Sequence, residues 1–211
     1  SPGIGLADGI FINTAGIGEL IAGADISPKN VTVGMKIIVS GYIGDHGATI
    51  LSKRHDLELP EDLQSDCAPL GDLVETMLKA APHIAVLRDP TRGGLAAVLN
   101  EIAAAAKVGI LIEEERIPIR EEVRGFADIL GFDPLTLANE GKVVVIVPAE
   151  EAEVLLETMQ NHKLASDAAI IGERMLFHAL RIAREVLHLR RLRQLAAGLQ
   201  PAVLHGLQVG P

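Results

Sequence analysis

The sequence predicts an α/β fold in which a mixed, largely buried sheet is covered by helices, with an α+β arrangement as its variant. Three observations predict it. Short apolar runs alternate with helix-period segments between about residues 33 and 173, the order seen in layered α/β domains. One run, Val143–Val147, is wholly β-branched, as suits a strand covered on both faces. Apolar residues make up 48% of the chain but aromatics only 2%, so the core is built from Leu, Ile, Val and Ala.

Residues 1–32 contain one apolar run, Ile10–Ile12, followed by Gly16, Gly18 and a helix-like stretch from Glu19 to Ala24. So short a segment buries no core alone, and a strand at Ile10–Asn13 is expected to pair outside the main core. Met35–Val39 reads as a strand and runs into Gly41-Tyr-Ile-Gly44-Asp45-His46-Gly47. A helix over 47–55 follows, then a loop with Pro60 and Pro69, a helix over 70–80 and a strand over 84–88. Next come a helix over 93–106, the strand Val108–Ile112 and a helix over 119–130 that opens just after Pro118. The Val143–Val147 strand leads to Pro148, which starts a helix running through 159, and a short strand closes the domain at Ala168–Ile171.

Charge separates the remainder. Residues 1–173 carry 13 Lys and Arg against 27 Asp and Glu, whereas 174–211 carry six Arg against Glu185 alone. So abrupt a shift marks a separate module or a segment of different origin. Leu176, Leu180, Ala183 and Leu187 share one face of a basic amphipathic helix reaching Leu195. Docking on the domain, disorder, and contact with a membrane or partner all remain open for it.

Composition also limits function. The net charge is −9 and there is no Trp, which argues against a phosphate-backbone or base-stacking surface, and hence against nucleic acid. No 18-residue apolar run or basic–apolar leader is seen, so a membrane span is not expected and a cytoplasmic location is. Cys67 is the single cysteine, which excludes an internal disulfide framework. A lone thiol of this kind is expected to be a small buried apolar group.

Three strand-end motifs carry candidate chemistry. Arg88-Asp-Pro-Thr-Arg-Gly-Gly-Leu95 links a strand to a helix, and the unpaired N–H groups and dipole of a helix start favour phosphate. Gly93 and Gly94 would let it approach, Arg88 or Arg92 would add a charged fork, and Asp89 would hold a metal. The plainer reading is a turn capped by Thr91. Asp45-His46 follows a strand directly, where open α/β sheets place ligands, and reads as a proton-transfer or metal pair or as an Asx turn with a capping Asp45. Asn139-Glu140-Gly141-Lys142 precedes a strand. Its glutamate and lysine would bind magnesium or orient a nucleotide, or form a solvated turn.

Further blocks run in the same order: Phe11-Ile-Asn-Thr-Ala-Gly-Ile-Gly18, Val39-Ser-Gly-Tyr-Ile-Gly-Asp-His-Gly47, Ser65-Asp-Cys-Ala-Pro-Leu70, Ile117-Pro-Ile-Arg-Glu-Glu-Val123, Leu137-Ala-Asn-Glu-Gly-Lys142 and Asp167-Ala-Ala-Ile-Ile-Gly172. With the Arg88 motif they closely resemble the hydrogenase maturation HypE (carbamoyl dehydratase) family, within the aminoimidazole ribonucleotide synthetase-like (PurM-like) superfamily. The resemblance covers about 9–173. It implies a remnant of an N-terminal ATP-binding domain over 1–32, a PurM-like C-terminal domain over 33–173 and an atypical tail over 174–211.

The resemblance implies ATP-dependent dehydration of a cysteine-bound carbamoyl group to a thiocyanate, the source of the cyanide ligands of [NiFe] hydrogenase. Implied cofactors are ATP and Mg²⁺. Implied partners are the carbamoyltransferase HypF, the HypC–HypD complex and a second copy in a homodimer. Glu140, His46 and Asp45 become the candidate catalytic residues. Thr91, Arg92, Gly93, Gly94, Asn139 and Lys142 become the candidate cofactor-binding residues, and Asp89 the candidate magnesium ligand. The chain departs from the family after Glu173, where the cysteine-terminated tail is not seen, so it is expected to be incomplete and inactive alone. The competing readings are a non-catalytic dimerisation or docking module, and another ATP-using PurM-like enzyme of the selenophosphate synthetase or thiamine-phosphate kinase type.

Overall fold

A computed structural model describes residues 15–175 apart from 20, 22, 58, 59, 61 and 62. The strand expected at Ile10–Asn13 and the basic helix expected beyond residue 175 lie outside the described residues.

The elements follow the sequence pattern closely. In chain order they are β1 (Lys36–Val39), α1 (Asp45–Arg54), α2 (Gly71–Ala80), β2 (Val86–Arg88), α3 (Gly94–Ala106), β3 (Gly109–Ile112), α4 (Glu121–Leu130), β4 (Val144–Val147), α5 (Ala149–Gln160) and β5 (Ala169–Met175). The helix expected to start at residue 47 begins two residues earlier, because Gly44 takes the left-handed conformation that turns the chain into it.

The strands form one sheet in the order β2-β4-β1-β5-β3. All four pairings are antiparallel, which corrects the expectation of a mixed sheet within the α/β class. The cause is interleaving. Helical crossovers do join strands of like direction, β1 to β2 and β4 to β5, but in each case one oppositely directed strand has inserted between them. Alternation of helix and strand in the sequence therefore reported direction correctly and adjacency wrongly.

Side-chain alternation along the strands feeds two cores. Ile37, Val39, Val144 and Ile146 join Leu95, Val98, Leu99 and Ile102 of α3 and Val123 and Phe126 of α4. Ile38, Val145 and Val147 face the other way, onto Leu73 and Met77 of α2 and Leu155 and Met159 of α5. β4 is buried along its whole length, which is why its sequence is continuously β-branched rather than alternating.

Register then places the loops. Val39 pairs with Val144, Arg88 also pairs with Val144, and Val39 pairs with Ala169. The carboxyl ends of β1 and β2 and the amino ends of β4 and β5 therefore share one end of the sheet.

Candidate functional site

Those shared ends bring together all three motifs that the sequence marks. The join is made by Asn139, which is fully buried. Its Oδ1 accepts from the Gly44 N–H at 2.7 Å, and its Nδ2 donates to the carbonyls of Pro90 at 2.9 Å and Leu137 at 3.0 Å. The backbone N–H of Asn139 donates to Pro90 as well, at 3.2 Å. Both amide hydrogens are thus committed to the protein, so Asn139 ties the loops together and offers no donor to a cofactor.

At the β1 end lies a cavity of about 150 Å³, lined in part by Tyr42, Asp45, Asp66, Arg120, Lys142 and Asp167. The Nε of Arg120 donates to Asp45 Oδ2 at 3.2 Å, and the guanidinium lies 4.3 Å over the Tyr42 ring. Lys142 Nζ is 3.9 Å from Asp66 Oδ2. Asp66 Oδ1 accepts the Glu140 N–H at 3.0 Å and so fixes the turn that carries Glu140 and Lys142. A Cβ on Gly141 would sit 1.7 Å from the Asp66 carbonyl oxygen, so only glycine lets these two segments meet.

Both carboxylates are deeply buried, and Asp45 Oδ1 and Asp66 Oδ2 have no hydrogen-bond partner. Burial raises the pKa of Asp45, and the hydrogen bond from Arg120 draws it part of the way back. Arg120 in turn feels burial pulling its pKa down, and the hydrogen bond to Asp45 together with the negative charges around it outweighs that pull, so it is held above its ordinary value.

Asp45 and Lys142 line the cavity, and Glu140 is exposed beside it. His46 lies in the first turn of α1, and its Nδ1 pairs with Ser65 Oγ at 2.8 Å. Ser65 also accepts the Cys67 N–H at 3.3 Å. Cys67 is exposed, contrary to the expectation of a buried apolar group, because in the Ser65–Pro69 segment Asp66 and Ala68 line the cavity while Ser65, Cys67 and Pro69 are exposed.

The Arg88 motif sits at the same end of the sheet without lining the cavity. Gly93 caps α3 in the left-handed conformation, and no side chain caps the helix, Thr91 included. Thr91 is half-buried, and Arg92, Gly93 and Asp89 are exposed. Gly94 is required by the protein's own packing. Its φ is +64°, and a Cβ there would lie 2.4 Å from the Leu135 carbonyl oxygen and 2.5 Å from that of Leu137.

Asp89 does not belong to a magnesium site by itself. Among the described residues there is no group of three or more His, Cys, Asp or Glu able to hold a metal ion. A Mg²⁺ bound beside a nucleotide takes one or two carboxylates and completes its shell with phosphate oxygens and water, so Asp89 would need the nucleotide to complete such a site. The open end of α3, with Gly93 and Arg92 exposed, fits the phosphate end of a nucleotide.

Arg120, Asp66, Lys163, Ser166 and Asp167 complete the cavity, and sequence reasoning promoted none of them. Arg120 and Asp66 stand within blocks that carry the family resemblance, which was the available signal.

A helix-covered antiparallel sheet with glycine-hinged loops gathered at one end defines the class: residues 32–174 match the AIR synthase related protein, C-terminal domain family, and the chain belongs to it. Within that class the chain is similar to HypE proteins. Carbamoyl dehydratase HypE of Rhodobacter capsulatus is 48% identical over 177 residues, 84% of this chain and 52% of that protein. A crystal structure of a HypE–HypF complex matches with a TM-score of 0.71 and 47% identity over 74% of this chain and 51% of that one. A hydrogenase maturation protein HypE solved in complex with ATP matches with a TM-score of 0.74 and 41% identity over 83% and 54%. The chain spans about half the length of these relatives. Among the described residues no helix is long and apolar enough to cross a membrane.

Proposed function

We propose that this chain supplies the C-terminal domain of a HypE-type carbamoyl dehydratase acting in [NiFe] hydrogenase maturation. The observation that carries the reading is the convergence at one sheet end of the three strand-end motifs, in a chain 48% identical to a HypE. ATP, when bound, would supply the phosphoryl group that makes the amide oxygen a leaving group; the amide nitrogen gives up one proton as its oxygen is phosphorylated and the second as phosphate departs, which leaves the thiocyanate.

The residues of this domain are assigned accordingly. The uncapped start of α3, with Gly93 and Arg92, meets the phosphate end of ATP. Glu140 and His46 are assigned to take the amide protons, an assignment supported by the exposure of Glu140 and the partial exposure of His46, whereas Asp45 is buried and committed to Arg120. Asp45 therefore orients Arg120 rather than exchanging protons with substrate. Mg²⁺, HypC–HypD, a homodimer and a cytoplasmic setting belong to the same proposal. HypF is the partner best supported, because a HypE closely similar to this chain has been solved with it.

Genetic complementation tests the reading. Residues 32–174 are exchanged for the matching domain of a HypE, and the chimera is expressed in cells lacking HypE. Recovery of hydrogenase activity is expected. A folded, abundant chimera that leaves the hydrogenase immature would refute the assignment. The docking-module alternative instead predicts HypF binding by the chimera without recovery.

A further inference from the structure

We infer that the cavity beside the carboxyl end of β1 is a binding site for a small oxyanion, phosphate above all, with Arg120 as its fork. The guanidinium of Arg120 is held from two sides, by Asp45 Oδ2 on its Nε and by the Tyr42 ring against its face. Its terminal Nη groups have no hydrogen-bond partner among the described residues, and the side chain is 46% exposed. A planar donor fixed behind and below, with its two forward nitrogens free, is already set to meet two oxygens of one anion.

Lys142 repeats the arrangement on a smaller scale. Its ammonium lies over Asp66 at 3.9 Å, beyond hydrogen-bond distance, so its donors are also uncommitted. Lys163 lines the same cavity and has no ion-pair partner among the described residues. The side chains of Asp45 and Asp66 are only 8% and 2% exposed. They lie beneath the cations and orient them, while the surface offered to a ligand is rich in donors. Asp167 is the one carboxylate exposed at the rim, and its Oδ2 accepts from Ser166 Oγ at 3.0 Å.

Size and charge select the ligand. A cavity of about 150 Å³ matches a phosphate with a water or a small substituent. Three surrounding cations favour a dianion with several acceptor oxygens over a carboxylate, which would occupy only the Arg120 fork. The three aspartates balance the formal charge of the lining, so selectivity rests on donor geometry and chloride does not substitute. The biological source of the ion rests on the proposed dehydration, which releases phosphate, whereas the binding does not.

The test is a titration of the ¹⁵N-labelled chain with orthophosphate, with acetate, and with sodium chloride at matched ionic strength, read by NMR. Saturable shifts centred on Gly141, Lys142 and Ala68 are expected with phosphate and not with chloride. Arg120→Gln is expected to weaken phosphate by about tenfold or more. Because that change leaves Asp45 without its partner, Lys163→Gln at an exposed position is measured beside it and is expected to weaken phosphate by about threefold or more. Shifts that follow ionic strength alone, or binding unaffected by Lys163→Gln and by a folded Arg120→Gln, would overturn the site. Acetate binding as tightly as phosphate would overturn the dianion assignment. Phosphate binding in a chain whose chimera fails complementation would leave the site standing and remove the dehydratase reading.

Discussion

Asp45 is a carboxylate held between opposing effects, and that makes its titration a test of the site. Its pKa in the folded chain lies above the ordinary value of 3.8 because burial outweighs the pull of Arg120. The folded state therefore binds this proton more tightly than the unfolded state does. Its favourable contribution is complete below the unfolded pKa and is lost as pH rises through the folded one. Wild type should accordingly gain stability relative to Asp45→Asn as pH falls from neutral toward 4, measured by urea unfolding at a series of pH values. A stability difference that stays constant across that range would mean that Asp45 is not desolvated. Asp45 and Lys142 were legible in the sequence because each adjoins a strand end. Arg120 was not, since the ion pair joins residues 75 positions apart, and no local pattern reports an encounter of that kind.

At the scale of elements, glycines with the same one-letter code have opposite roles. Gly94 combines a positive φ with carbonyl oxygens where a Cβ would go, so Gly94→Ala should cost about 2 kcal/mol or more in chemical denaturation. Gly125 lies inside α4, exposed and with open space around it, and Gly125→Ala should stabilise by about 0.5–1 kcal/mol. Reversal of those signs would contradict the loop geometry at the start of α3. The paired glycines at 93 and 94 were readable as a special turn, but their cause was not. The sequence suggests a space left for phosphate, whereas at Gly94 the space is filled by the Leu135 and Leu137 carbonyls. Leu99, fully buried on α3, should lose about 2–5 kcal/mol on truncation to Ala. A cost under about 1 kcal/mol would deny α3 its place against the sheet.

At the scale of the molecule, the succession of helices and strands over the described residues was legible to within a few residues, while the strand order was not. Local apolar period determines whether a segment is helix or strand and which face is buried. It carries no information on which strands become neighbours, and here β4 inserts between β1 and β2, and β1 between β4 and β5. Their insertion also makes the site, because antiparallel neighbours bring the Asn139–Lys142 turn beside the β1 and β2 loops. The central claim is that this arrangement serves dehydration of a thiol-bound carbamoyl group. It is tested most directly by intact-protein mass spectrometry on a purified HypE chimera carrying residues 32–174, after HypF and carbamoyl phosphate have loaded its cysteine. On addition of ATP the adduct should lose the mass of one water, and Glu140→Gln should slow that loss by about a hundredfold. An adduct that forms and then keeps its full mass with ATP present, in a chimera shown to be folded, would contradict the account.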